Sequence, residues 1–159
     1  MFGFLKKKAV EMNSNISAPV DGEFVAMTEV PDPVFAQMMM GNGFAVKPSN
    51  GKIYSPICGT VSSVFPTKHA VGINTQDGKG IIVHMGVDTV SLGGKPFRIH
   101  VKEGDVVTQT SKIATVDLDM LARENRDDII IVAFPEHTSE ALHLGKIATV
   151  NAGVVVGHF

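Results

Sequence analysis

Ile16-Ser17-Ala18-Pro19-Val20-Asp21-Gly22 and Ile53-Tyr54-Ser55-Pro56-Ile57-Cys58-Gly59 are one motif written twice. A second stretch, Phe44-Ala45-Val46-Lys47-Pro48-Ser49-Asn50-Gly51, recurs more loosely as Val71-Gly72-Ile73-Asn74-Thr75-Gln76-Asp77-Gly78. Two copies of one β unit imply a sandwich built from two related halves, not a long repeat array. The spacing differs between the copies because a helix candidate is inserted in the first.

Outward from the repeat, short apolar runs alternate with Gly, Pro, Asn and Asp, as in all-β domains. Strands are expected near 52–54, 60–65, 70–75 and 80–84. Asn50-Gly51 and Asp77-Gly78 read as hairpin turns, since both dipeptides tolerate positive φ. Residues 33–40 form the first helix candidate, with Pro33 at the start and Gly41 after the end. Residues 119–125 form a second, capped by Asp117 or Asp119. Residues 139–144 form a weaker third. The fold class is therefore all-β, an antiparallel β-sandwich with few short helices.

The chain's 159 residues suit one domain with a sizeable core. Residues 1–15 read as a flexible N-terminal tail and 16–159 as the domain. The net charge of -2 gives no basic field for nucleic acid. The lone cysteine, Cys58, excludes an internal disulfide or a cysteine zinc cage and fits a reducing, cytoplasmic setting. No apolar run approaches the roughly 20 residues of a membrane helix. In residues 1–8, Phe2, Phe4 and Leu5 precede Lys6, Lys7 and Lys8, a pattern suited at most to weak contact with an anionic membrane surface.

His69 and His84 carry the chemistry. Each lies in an apolar, strand-like segment, where a polar ring needs a partner or a task. Imidazole titrates near neutrality and is a nucleophile, so a convergent pair can receive and hold a transferred group. A lone histidine on such a strand is more often a core or rim residue bonded to backbone.

The surrounding words favour the functional reading. Ala18-Pro19-Val20-Asp21-Gly22, Val30-Pro31-Asp32-Pro33-Val34-Phe35-Ala36, Met40-Gly41-Asn42-Gly43-Phe44-Ala45-Val46-Lys47-Pro48, Ser55-Pro56-Ile57-Cys58-Gly59, Phe65-Pro66-Thr67-Lys68-His69-Ala70 and Val83-His84-Met85-Gly86-Val87-Asp88-Thr89-Val90-Ser91-Leu92 run in order. Together they resemble the glucose-type IIA component of the bacterial phosphoenolpyruvate-dependent sugar phosphotransferase system. The likeness covers about residues 16–120; the C-terminal third is looser.

The resemblance implies a duplicated hybrid motif and a phosphocarrier, a protein-histidine phosphotransferase component. His84 would accept a phosphoryl group from HPr through Nε2 and pass it to a cysteine in the IIB domain of a membrane sugar permease. His69 would stabilise that group through its Nε2–H. A ring nitrogen not so used needs a second bond to fix the tautomer. Thr67 is the candidate for His69, two residues away on one strand face. The Gly86 carbonyl is the candidate for His84. Val34, Phe35, Phe65, Val90 and Met85 are expected to form an apolar docking rim, with Asp32 and Asp88 at its edge. For Asp32, helix capping is an equal reading. Regulatory target proteins would be further partners.

No cofactor or metal is required, although His69 and His84 could share a zinc with a partner's carboxylate. Two other classes stay open. A zinc-dependent peptidase of related β-hybrid fold needs a third ligand beside the two histidines. A non-catalytic, biotinyl-like binding module is suggested by Val101-Lys102-Glu103-Gly104-Asp105-Val106-Val107, but no lysine hairpin follows at the matching place.

Overall fold

The computed structural model describes residues 13–136, 143–144 and 148–159. Its strands are β1 (Asn15–Ser17), β2 (Gly22–Ala26), β3 (Asn42–Pro48), β4 (Lys52–Tyr54), β5 (Gly59–Val64), β6 (Ala70–Asn74) and β7 (Gly80–Met85). They continue with β8 (Phe97–Ile99), β9 (Val106–Val107), β10 (Lys112–Val116), β11 (Ile130–Phe134), β12 (His143–Leu144), β13 (Thr149–Val150) and β14 (Val155–His158). Two short helices interrupt them, α1 (Pro33–Ala36) and α2 (Leu118–Arg123). The expected all-β sandwich with few helices is what the chain forms.

Among the described residues, one eight-stranded antiparallel sheet runs β13-β2-β3-β11-β7-β6-β5-β9. Two three-stranded sheets, β1-β14-β12 and β4-β10-β8, complete the architecture. The orders are palindromic. β4 through β10 form one continuous half, inserted between the third and fourth strands of the other half, β1–β3 plus β11–β14. Register follows the same operation. Gly59↔Val107 in one half matches Gly22↔Val150 in the other. The bulge where β10 meets β4 recurs where β14 meets β1.

The echoed motifs meet at the centre of this relationship. The Ser17 N–H donates to the Pro56 carbonyl at 2.8 Å, and the Tyr54 N–H donates to the Pro19 carbonyl at 2.7 Å. These are equivalent bonds, one in each direction. The shared glycine is explained too. A Cβ on Gly22 would lie 2.0 Å from the Lys47 carbonyl oxygen, and one on Gly59 would lie 2.1 Å from that of Asn74. Both strands run against a neighbouring backbone that leaves room only for hydrogen.

The main core lies between the sheets and includes Ile16, Phe44, Ile53, Val83, Met85, Ile113, Val132 and Phe134. A second cluster covers the outer face of the large sheet. There Met27, Val30 and Phe35 pack on Ala45, Ile129, Ile131 and Ala133. β11 is therefore buried on both faces and reads as the continuous apolar run Ile130-Ile131-Val132-Ala133-Phe134.

Several local expectations are corrected. Asp77-Gly78 does turn the β6–β7 hairpin, with Gly78 at φ +89°. Asn50-Gly51 does not make a hairpin, because β4 pairs with β10 and not with β3. It is a corner between sheets. The first helix is one turn, ending at Ala36, with residues 37–40 as turns. The second starts at Leu118 and is capped by Asp117, whose side chain accepts from the Met120 N–H. Of the third helix candidate, His143–Leu144 form a strand and residues 139–142 lie outside the described residues. Residues 1–12 of the expected tail also lie outside them, whereas Asn15 already pairs with His158 in β1.

Candidate functional site

β7 alternates because its inner face meets the main core while its outer face is only half covered. Ile81, Val83 and Met85 point inward and are fully buried or nearly so, while Ile82 and His84 point outward. His84 lies between Ala70 of β6 and Ile131 of β11. The duplication makes the placement specific. The equivalent of the His84↔Ile131 pair is Ala133↔Ile82, so the other half carries alanine at the same point.

His69 arrives from the β5–β6 connection. The Lys68 N–H donates to the Phe65 carbonyl at 2.8 Å, and Lys68 takes the left-handed φ of +61°. This five-residue loop ends with His69 directly before β6. The rings of His69 and His84 stand edge to face, with centroids 5.1 Å apart and planes at 80°. Phe65 meets His69 edge-on at 5.4 Å, and Phe35 tilts against His84 at 4.9 Å. The pair that the sequence put 15 residues apart is thus one site walled by two phenylalanines.

The Thr67 hydroxyl lies 2.5 Å from Nδ1 of His69. The partner is the expected one but the route differs. Residues 66–69 form a turn, so the approach comes from the loop and not from a shared strand face.

His84 is held differently. Burial pushes its ring from the ordinary value of 6.5 to about 4, and neighbouring His69 adds to the lowering; the Gly86 backbone, Asp32 and Asp88 oppose it. His69 is lowered by burial as well. Both rings are neutral near pH 7. A backbone group that favours the charged ring is an acceptor, so the Gly86 carbonyl lies beside His84. Yet Nδ1 of His84 is buried with no partner in hydrogen-bonding geometry. At rest, Nδ1 is unpaired with an acceptor close by. His84 is only partly buried, and its other nitrogen, Nε2, is not sealed in this way.

The loop after His84 is built around Gly86, at φ +79°. A Cβ there would lie 2.5 Å from Cγ2 of Thr89 and 2.8 Å from the Asp127 carbonyl oxygen. Thr89 is fully buried and donates its hydroxyl to the Met85 carbonyl at 2.7 Å. Its place in the Val87-Asp88-Thr89-Val90 word was legible, but its stapling role was not. Arg126 also reaches this loop and carried no signal in its local sequence.

The rim is partly as expected. Val34 and Val90 are exposed, and Phe65 is half-buried. Met85 is not on the rim: strand alternation turns it into the main core, where it is 0% exposed. Phe35 is also no surface residue; at 6% exposed it belongs to the second cluster and backs the His84 ring. Met39, 69% exposed, lies in the turn after α1, where its N–H donates to the Val34 carbonyl. Asp32 caps α1 by accepting from the Val34 N–H at 2.9 Å, and its charge also acts on His84. Asp88 is exposed at φ +57°.

Among the described residues, no three His, Cys, Asp or Glu side chains gather to hold a metal. None of their helices is long and apolar enough to cross a membrane. Cys58 is buried, with its Sγ 2.9 Å from Oε1 of Gln109.

Known proteins are similar to this chain in sequence and fold. The chain is 51% identical over 124 residues to the PTS system glucose-specific EIICBA component of Streptococcus pneumoniae, covering 78% of this chain but 17% of that protein. It is 41% identical over 152 residues to the PTS system glucose-specific EIIA component of Staphylococcus epidermidis, covering 94% of this chain and 91% of that one. The structure of the glucose permease IIA from Mycoplasma capricolum superposes with a TM-score of 0.83 at 36% identity, over 90% of this chain and 93% of that one. Residues 14–139 match the family model of the phosphoenolpyruvate-dependent sugar phosphotransferase system, EIIA 1. The chain belongs to that family and is a phosphocarrier component of the sugar phosphotransferase system.

Proposed function

We propose that His84 carries the phosphoryl group on Nε2, taking it from a phosphohistidine of HPr and giving it to a cysteine of a permease IIB domain on the cytoplasmic side. The observation that supports this reading is the unequal state of the two His84 nitrogens: Nδ1 is buried while Nε2 is not. A neutral ring at pH 7 has a lone pair on one nitrogen. With its proton on Nδ1, that lone pair is on Nε2. The donor's P–N bond breaks as the P–Nε2 bond forms. In the onward step a cysteine thiolate attacks phosphorus, and the electron pair of the P–N bond returns to Nε2.

The phosphorylated ring gains cationic character, and its Nδ1–H becomes a stronger donor. The Gly86 carbonyl beside it is then the natural acceptor. A buried donor without a partner costs about 1–3 kcal/mol, so a small movement that makes this bond helps hold the phosphorylated state. His69 completes the site. If Thr67 donates to Nδ1, the proton of neutral His69 is on Nε2 and can be aimed at the phosphoryl oxygens. The apolar wall of Phe35 and Phe65 limits access of water to the P–N bond.

The test is incubation with phosphoenolpyruvate, enzyme I and HPr. Acid-labile phosphate is expected on the wild type and none on His84→Ala. His69→Gln should accept phosphate but pass it on poorly. Phosphate on another residue of folded His84→Ala would overturn the assignment.

A further inference from the structure

Arg126 lies in the connection between α2 and β11, away from the motifs that define the histidine site. Its Nε donates to the Asp88 carbonyl at 3.0 Å, its Nη2 to the Ser91 hydroxyl at 3.4 Å, and its Nη1 to the Glu124 carbonyl at 2.9 Å. Its own N–H is anchored on the Leu121 carbonyl at 2.9 Å. Among the described residues it makes no ion pair with a carboxylate. A guanidinium with every nitrogen spent on neutral acceptors is serving as a rigid fork.

What the fork grips is the segment after His84. The Gly86 N–H donates to the Ile129 carbonyl at 2.8 Å and the Val87 N–H to the Asp127 carbonyl at 3.0 Å. Residues 86–91 are therefore zipped to residues 126–129, and Arg126 is the last tooth. Its grip falls on Asp88, a non-glycine residue in the left-handed region, which costs free energy unless the surroundings hold it.

We propose that Arg126 is a positioning residue for the phosphocarrier site: by clamping left-handed Asp88 and adjoining Ser91, it fixes where the Asp88 carboxylate stands beside His84 when a phosphoryl donor docks. This rests on the assignment of His84 as the phosphorylated residue. The carboxylate has two tasks that need a fixed position. Its negative charge favours a positive His84 ring, as does that of Asp32, and opposes the effect of His69. It also presents one negative charge beside exposed Val90 to an approaching cationic partner.

The experiment is a double-mutant cycle of Arg126→Ala and Asp88→Asn, read as kcat/KM for uptake from phospho-HPr at several salt concentrations. If Arg126 acts through Asp88, each single variant loses about fivefold and the double variant loses no more than either alone. Both flatten the salt dependence. Arg126→Lys, which keeps a donor for the Asp88 carbonyl, restores part of the loss. Independent, multiplying losses with unchanged salt dependence would overturn the proposal, as would wild-type kinetics in folded Arg126→Ala. Failure of the His84 assignment is seen separately, as phosphate on another residue in wild type.

Discussion

The Thr67 hydroxyl meets Nδ1 of His69 at 2.5 Å across a turn whose left-handed residue is Lys68. The contact engages Nδ1, so one side chain bears on the tautomer of the neighbouring ring. Replacing Thr67 by Val removes the hydroxyl at nearly constant volume. Uptake onto His84 should persist while onward transfer falls about tenfold, and Thr67→Ser should recover most of it. Histidine nitrogen chemical shifts would report the tautomer directly. Wild-type onward transfer in Thr67→Val would remove the orienting role.

Acid should weaken the fold through the same site. His84 titrates at about 4 when folded against an ordinary value of 6.5. Between those values the unfolded chain binds the proton and the folded one does not, so stability rises with pH across this window and is flat above it. Linkage gives a loss of about 2 kcal/mol between pH 7 and pH 5 from this residue. His69, also lowered by burial, acts in the same direction. Urea unfolding at the two pH values should show a smaller acid loss in His84→Asn than in wild type. An equal loss would place the acid sensitivity elsewhere.

Gly86→Ala tests the loop. The added Cβ meets Thr89 and the Asp127 carbonyl, in a backbone region that L-residues avoid. The expected cost is about 2 kcal/mol or more of unfolding free energy. Phosphate uptake should fall as well, since the Gly86 carbonyl cannot keep its place beside His84. Denaturant midpoint and uptake are measured on one preparation; a stable variant with normal uptake would refute the tight packing.

Phe35 and Val34 should separate cleanly although they are neighbours in sequence. Phe35 is buried against His84 and the second cluster, so Phe35→Ala should cost about 3–5 kcal/mol of stability. Val34 is exposed on the rim, so Val34→Glu should leave stability within about 0.5 kcal/mol. If the rim docks HPr, the same change buries an unpaired charge there and weakens binding by about 2–4 kcal/mol. Calorimetric titration with HPr makes the comparison, and unchanged affinity in Val34→Glu would take Val34 out of the interface.

The sequence by itself determined the architecture and singled out the two histidines that the fold brings together. The twin motifs at 16–22 and 53–59 announced two related halves because the same proline and the same glycine meet the same backbone constraint in each. The histidines were legible because polar rings among apolar residues stand out in a local window. Alternation also carried the information that Met85 faces away from His84, although the expected rim overlooked it. Only the tertiary structure decided that the second half is inserted into the first, and that Asn50-Gly51 turns a corner between sheets. A turn signal specifies that the chain bends, not which strand it joins. Phe35 is buried because Met27, Val30 and β11 surround it, and β11 is distant in sequence. The grip of Arg126 on Asp88 spans 38 residues and depends on β7 and β11 lying side by side. No local pattern encodes such a contact, because its geometry exists only after the strands have paired.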